Sequence, residues 1–293
     1  MRFNSTLLSS YGATALFVLL WSGGAIFARL GLEYASPFSF LVLRFALACL
    51  ALALLAGHSG IWLPQAGLRW PTARAGLLMI GGYSLCYMLA LNEGVTPGVL
   101  ATVLGVQPIL TLLLLERRAS PLRALGLLTA LAGLTLIVSD SLLNSTLPIS
   151  GVVLTLGALL CITLGTIAQK SLQQSPMRAL PLQYGLCLLA SLLLLPSQEW
   201  RVQYDVGLLL PLLWMGLVIS VGAQLLLYRL IQAGNLVNVT SLFYLVPVTT
   251  AVLDYLLLGN RLSAHALVGM LAILLGLALV FRIAPQREHG NRL

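Results

Sequence analysis

PGVLATVLGVQPILTLLLL, residues 97–115, and LVNVTSLFYLVPVTTAVLDYLLL, residues 236–258, are long apolar runs, each with a proline near its middle, Pro108 and Pro247. A helix of about 20 apolar residues crosses the ~30 Å hydrocarbon core of a bilayer. Proline inside a helix removes one backbone hydrogen bond and frees a carbonyl. In lipid, such irregular backbone is tolerated only beside protein or a water-lined cavity. The prolines lie 139 residues apart, so the same unusual feature occurs once in each half of the chain.

The rest of the chain has the same apolar character. Of 293 residues, 59% are hydrophobic and 8% are charged, and the mean hydropathy is +0.98. A soluble domain carries about a quarter charged residues. The apolar runs predict ten spans, roughly 11–30, 37–56, 74–92, 97–115, 121–139, 150–169, 180–196, 208–230, 236–258 and 263–282. The connecting segments are too short for a soluble catalytic or nucleic-acid-binding module. The net charge of +8 therefore reports loop sidedness rather than a nucleic-acid partner. With the N-terminus inside, twelve Lys and Arg fall on the inner side, and Arg29, Arg201 and Arg261 fall outside. The positive-inside rule then places both termini in the cytoplasm and the protein in a prokaryotic inner membrane, embedded in its lipid bilayer.

The halves echo each other beyond the prolines. Gly24 and Arg29 match Gly165 and Lys170, Pro37 pairs with Pro181 as the opening of a span, and Gly126 and Gly133 match Gly269 and Gly276. The fold class expected is an all-α integral membrane protein with ten transmembrane helices arranged as two inverted five-helix repeats, residues 1–140 and 141–293. An odd number of spans per repeat inverts the second copy. That architecture belongs to secondary transporters, which alternate access around a midplane site. The glycines of spans 5 and 10 make small faces suited to close packing, at the periphery or at a dimer contact.

Several of these residues carry a resemblance. Trp21-Ser22-Gly23, Leu43-Arg44-Phe45, the mid-span Pro108 and Pro247, and Leu258-Gly259-Asn260-Arg261-Leu262-Ser263 leading to Gly269 and Gly276 resemble the EamA-type family of the drug/metabolite transporter superfamily. The resemblance covers both repeats. It implies a ten-helix exporter of amino acids, metabolites or drugs. Where that family often has Trp-Gly, this chain has Trp21-Ser22, and where it often has Gly-Glu-Arg, the second copy reads Gly259-Asn260-Arg261.

Polar residues inside spans are costly and mark function by default. Arg44 lies nearest the midplane, and Asp254 lies about 10 Å to the outer side of Pro247 at 1.5 Å per residue. The two could form an ion pair, and either could serve ion coupling or, for Arg44, a substrate carboxylate. Gln107 and Gln224 offer amide donors and acceptors near mid-span. Trp21, Tyr83, Tyr87 and Tyr244 supply aromatic surface, and Asn238 completes the substrate-binding set. Pro108 and Pro247 are the candidate hinges. Tyr228, near a span end, fits an interfacial anchor. The four cysteines lack CxxC spacing and read as small apolar residues, with no metal site and no cofactor. The chain has no phosphate-binding GxxxxGK[ST] motif and no cluster of His and acids, so a non-enzymatic carrier of a small-molecule substrate, amino acid or metabolite, is expected, as monomer or homodimer. A lipid-acting membrane enzyme and a channel or facilitator are the alternatives. If Arg44 and Asp254 pair, reversing both charges restores uptake lost on reversing either one; a double variant as inactive as the singles rules the pair out.

Overall fold

The computed structural model describes residues 5–60, 62–116, 120–143, 148–195, 199–258 and 263–282, and among them the secondary structure is helices joined by short irregular segments, with one isolated bridge between Ala35 and Val202. Eight helical stretches are long and apolar enough to cross a membrane: Gly12–Tyr34, Pro37–Gly57, Ala66–Asn92, Pro97–Leu115, Ile149–Ser171, Pro176–Leu194, Val206–Ala233 and Ala264–Arg282. Where the sequence predicts spans 5 and 9, the structure has shorter apolar stretches, Pro121–Ile137 and Leu236–Val252. Leucines such as Leu54 and Leu113, 70% and 67% exposed, stand on outward faces that are stable only against lipid.

The first stretch is α1 (Ser5–Ser22) and α2 (Gly24–Tyr34), the second α3 (Pro37–Ser59). The third runs through α4 (Arg69–Gly76), a π-helical segment (Leu77–Gly82) and α5 (Tyr83–Asn92). The fourth is broken into α6 (Pro97–Leu104) and α7 (Gln107–Leu115), and α8 (Pro121–Ile137) and the short α9 (Ser139–Leu143) follow. The second half begins with α10 (Ile149–Ser171) and α11 (Pro176–Leu194). Next come α12 (Val206–Leu213), a second π-helical segment (Trp214–Ala223) and α13 (Gln224–Ala233). The last elements are α14 (Leu236–Ser241), a 3₁₀ turn (Leu242–Tyr244), α15 (Leu245–Leu258) and α16 (Ala264–Arg282).

Local chemistry sets several of these boundaries. Pro37, Pro121 and Pro176 each open a helix directly after a serine, where the missing N–H costs no hydrogen bond. This corrects one expected register. Pro181 lies inside α11, and the partner of Ser36-Pro37 is Ser175-Pro176, 139 residues on. Asp205 and Asn235 cap α12 and α14 by accepting N–H bonds from Gly207 and Asn238. Gly60, at φ +67°, ends α3 in the left-handed region that glycine reaches without strain.

By packing, the chain forms two units, each drawn from both halves: residues 1–97 with 146–233, and 98–145 with 234–293. In the first unit, the segment after α2 joins the one before α12, with Ser36 N–H bonded to Arg201 O at 2.9 Å and Gln203 N–H to Tyr34 O at 2.7 Å. The segment between α10 and α11 joins α4 through Gln174 and Thr72. Two cations at matched positions complete helix ends. Arg29 donates to Leu91 O at 3.2 Å, and Lys170 donates to Ile231 O at 2.8 Å and Gln232 O at 3.2 Å. Cations there satisfy terminal carbonyls and oppose the helix dipole. The repeat match of Arg29 and Lys170 in the sequence thus corresponds to a shared capping role.

In the second unit, α8 and α16 cross through their glycines. A Cβ added to Gly133 would stand 2.5 Å from Gly269 O, and one added to Gly126 would stand 2.7 Å from Gly276 O. Gly126 matches Gly269 in the repeat yet packs on Gly276, which is the reciprocal pattern of two antiparallel helices related by a two-fold. The glycine face expected at the periphery or a dimer contact is spent inside this unit. Gly133→Val forces the helices apart and costs about 1–3 kcal/mol, read as a lower melting temperature in detergent. Gly185→Ala, inside α11 where a Cβ would meet nothing within 4 Å, does not lower melting and raises it slightly through the better helix propensity of alanine.

Candidate functional site

The two π-helical segments lie in the third span of each half and end at matched positions, Gly82 and Ala223, 141 residues apart. A π-bulge widens the helix, re-aims backbone groups, and occurs most often at functional sites. Each is backed by a close-packing glycine on another span. A Cβ on Gly165 of α10 would stand 2.5 Å from Met79 N in the first π segment. Gly23, of the Trp21-Ser22-Gly23 motif, lies against the indole of Trp214 in the second, where a Cβ would stand 2.9 Å away. Phe27 packs on the same indole at 4.8 Å. Gly165 had been singled out with Gly24 by sequence repetition, and its role is to admit a π segment.

Arg44 sits in the first unit, between these segments. It is 7% exposed, and its Nε donates to Ser220 Oγ at 2.9 Å. Ser220 lies inside the second π segment and donates in turn to Met215 O at 2.7 Å, five residues back. The guanidinium carbon stands 5.6 Å from the Phe45 ring centroid, a cation–π distance. Phe45 meets Tyr184 edge-on at 5.8 Å, and these two residues occupy matched positions of α3 and α11. Tyr184, Tyr83, Cys187 and Tyr87 complete the electrostatic surroundings of Arg44. Tyr83 follows the first π segment directly and pairs with Tyr87 at 5.7 Å. Gln224, buried, follows the second directly. The structure thus brings Arg44, Tyr83 and Tyr87 together, and it sets Tyr83 and Gln224 at equivalent places of the repeat. Trp21 is half-buried on α1 and meets Phe17 in a tilted ring contact at 5.3 Å.

An amide network continues through this unit. Tyr228 Oη donates to Gln183 Oε1 at 2.7 Å, and Gln183 Nε2 donates to Gln169 Oε1 at 2.9 Å and to Thr72 O at 3.0 Å. Tyr228 is fully buried, so it is a network member rather than the interfacial anchor its position suggests. Gln169 Nε2 and Gln174 Oε1, a donor and an acceptor, are buried without a hydrogen bond. Cys86 and Cys161, read from the sequence as small apolar residues, pack on glycines of the facing spans, Gly157 and Gly82 respectively.

The remaining sequence candidates lie in the second unit. The Pro108 and Pro247 spans are both discontinuous, at residues 105–106 and 242–244. Gln107 and Pro108, both buried, open α7, and Pro247 lies in the first turn of α15. Tyr244 Oη donates to Gly105 O at 2.5 Å, from the position that matches Gly105 in the repeat. Tyr244 therefore satisfies a carbonyl at the break. Asn238 belongs to a cluster that sequence reading missed. Arg123 is 1% exposed, pairs with Glu116, and donates from Nη2 to Asn235 Oδ1 at 2.7 Å and Asn238 Oδ1 at 2.6 Å. Arg123 is one of the twelve cations that the positive-inside count assigns to the inner side, and here it is buried and paired. The signal available was Glu116 facing it across a turn, with two asparagines at the start of span 9. The side chain of Asp254 and the residues Gly259, Asn260, Arg261 and Leu262 lie outside the described residues.

Comparison with known proteins follows the same division of the chain. A model of the EamA-like transporter family matches twice, at residues 8–139 and 149–282. An uncharacterized transporter of Archaeoglobus fulgidus is 27% identical over 278 residues, which covers 90% of this chain and 94% of that protein. The uncharacterized transporter YvbV of Bacillus subtilis (strain 168) is 25% identical over 285 residues, 91% of this chain and 89% of its own. A solved protein structure shares the fold with a TM-score of 0.72 and 20% identity, over 92% of this chain and 96% of that one.

The Arg123 cluster generates a stability prediction. Arg123→Met leaves Glu116 buried without its counter-charge and costs about 3–5 kcal/mol. Glu116→Leu with Arg123→Met recovers most of that loss. Thermal melting in detergent checks both.

Proposed function

This chain belongs to the EamA-like transporter family, and from that premise we propose that it is a secondary transporter that exports small organic solutes across the inner membrane by alternating access. The chain is a multi-pass membrane protein, and the relatives it matches are named transporters. The observation that carries the finer reading is Arg44, a membrane-buried cation hydrogen-bonded to one π segment and facing Tyr83 at the end of the other. A π segment can migrate or relax to α-helix by shifting a few hydrogen bonds, so a solute at Arg44 is placed to bias both segments at once.

The matched design of the two halves supports alternation. Two conformations that exchange the roles of two repeats have similar energies when their contacts are equivalent. The π segments, the capping cations and the broken spans all recur in that way. The ten-span, inverted arrangement follows if Pro121–Ile137 and Leu236–Val252 cross with the eight longer helices. The excess of cations on the side of Arg69, Arg74, Arg178 and Arg229 supports cytoplasmic termini. Within the substrate-binding set, Arg44, Tyr83, Tyr87 and Gln224 form the core of the proposal. Trp21 contributes from its own span of the same unit, whereas Gln107, Tyr244 and Asn238 belong to the second unit, where Tyr244 caps a backbone carbonyl and Asn238 holds Arg123.

Purified protein in liposomes tests this reading. Saturable uptake of a labelled organic solute is expected, and Gly165→Leu, which displaces the first π segment, lowers it roughly tenfold or more by misplacing the site while the protein still melts cooperatively. Uptake that rises linearly with concentration overturns the carrier reading in favour of a channel, and a Gly165→Leu protein that transports normally overturns the placement of the site at the first π segment.

A further inference from the structure

We infer that the solute bound at Arg44 is an organic monocarboxylate that carries no ammonium group; this rests on the carrier reading above. The chain contains a control for what a buried arginine requires. Arg123 is buried, and the protein supplies a carboxylate, Glu116, and two amide oxygens, from Asn235 and Asn238. Arg44 is buried to a similar degree, yet among the described residues its single hydrogen bond is to the neutral hydroxyl of Ser220, and the groups around it are the phenols of Tyr83, Tyr87 and Tyr184 and the thiol of Cys187.

A guanidinium in a low-dielectric interior without a counter-charge is strongly destabilising. Its planar fork matches a carboxylate in bidentate geometry, and the Nη groups of Arg44 have no described protein acceptor. An entering carboxylate therefore supplies what Glu116 supplies to Arg123. The phenol hydroxyls can donate to the same anion, and the Tyr83–Tyr87 ring pair offers an apolar wall to an aromatic or branched substituent.

The same surroundings disfavour a zwitterion. An ammonium group needs an acceptor of its own, and the described acids of this unit lie at helix ends or in connecting segments. Glu33 is in the last turn of α2, and Glu93 follows α5 and accepts a bond from Ser150 at 2.5 Å. Glu199 lies in the segment that pairs with Ser36, and Asp205 caps α12. None is near Arg44 in the way Glu116 is near Arg123. An amino acid at this site leaves its ammonium unpaired, whereas the corresponding 2-oxo acid presents only the carboxylate and a carbonyl that the phenols can serve.

Two series of solutes decide the matter on the wild-type chain: phenylpyruvate, phenylalanine, phenylacetamide and phenethylamine, and the isobutyl equivalents 4-methyl-2-oxopentanoate, leucine, isovaleramide and isoamylamine. Binding is read as a ligand-induced rise in melting temperature in nanodiscs, and uptake is read in liposomes. At least one oxo acid is expected to bind roughly 10- to 100-fold more tightly than its amino acid, as one unpaired buried charge implies, and the amide and amine are expected not to bind. Arg44→Gln abolishes the oxo-acid response, and Arg44→Lys keeps part of it. If neither variant folds, the wild-type series still decides. An amino acid or amine that binds as well as the oxo acid overturns the inference, as does an Arg44→Gln protein that binds oxo acid unchanged or a wild type that binds none of the eight compounds. Oxo-acid binding without saturable uptake sinks the carrier reading and leaves the inference intact; saturable uptake confined to amino acids or amines does the opposite.

Discussion

In a bilayer every backbone N–H and C=O must find its partner within the protein, and this chain is organised around the places where it departs from a regular helix and then repairs the departure. The break at residues 105–106 leaves Gly105 O to the hydroxyl of Tyr244. The second π segment holds Ser220 Oγ on Met215 O. The ends of α5 and α13 give their carbonyls to Arg29 and Lys170. Each departure occurs at matched positions of the two halves, so what looks like irregularity in one span is a rule of the repeat. Water can neither stabilise these groups nor compete for them, and side chains that would be incidental in a soluble protein become structural partners.

The repeat also explains which residues meet. Tyr244 contacts its own counterpart position, Gly105; Phe45 contacts its counterpart, Tyr184; and the glycines of α8 and α16 pack crosswise. Equivalent residues touch only near a pseudo-two-fold, so each unit has such a relation running through it, although each is assembled from both halves of the chain. Packing therefore joins the first three spans of one half to the first three of the other, and it joins the last two likewise.

Two buried arginines show how differently one residue type is used. Arg123 is neutralised by Glu116 and held by two asparagines, which ties α7, α8 and α14 into one polar knot. Arg44 is held by a single serine and surrounded by aromatic rings. Desolvation acts on both, but among the described residues Arg123 faces a carboxylate while the groups around Arg44 are hydroxyls, phenols and a thiol. The Arg123–Glu116 pair holds the second unit together, whereas the surroundings of Arg44 suit the proposed solute that brings its own negative charge.

The hydrophobic text of the chain was enough to establish a helical membrane protein, because about 20 apolar residues in succession have no other stable fate. Repetition of Pro108 and Pro247, and of Gly24 and Gly165, was legible because proline and glycine carry backbone information in their identity alone. Arg44 was legible because a cation inside an apolar run is conspicuous. The π segments were not, since Leu77–Gly82 and Trp214–Ala223 have no composition that separates them from α-helix and their hydrogen-bond pattern is imposed by what packs against them. Nor was the Arg123 cluster, whose members are scattered from Glu116 to Asn238 and look like loop residues until the helices assemble. Pro176 rather than Pro181 opens α11 for the same kind of reason: either proline is acceptable locally, and the match of Phe45 to Tyr184 across the packed helices selects one. That the chain lives in lipid and repeats is written in its residue types; which polar groups are consumed in satisfying the fold, as Arg123, Tyr228 and Tyr244 are, emerges only when the helices pack, because a hydrogen-bond partner is a property of three-dimensional neighbours and not of residue type.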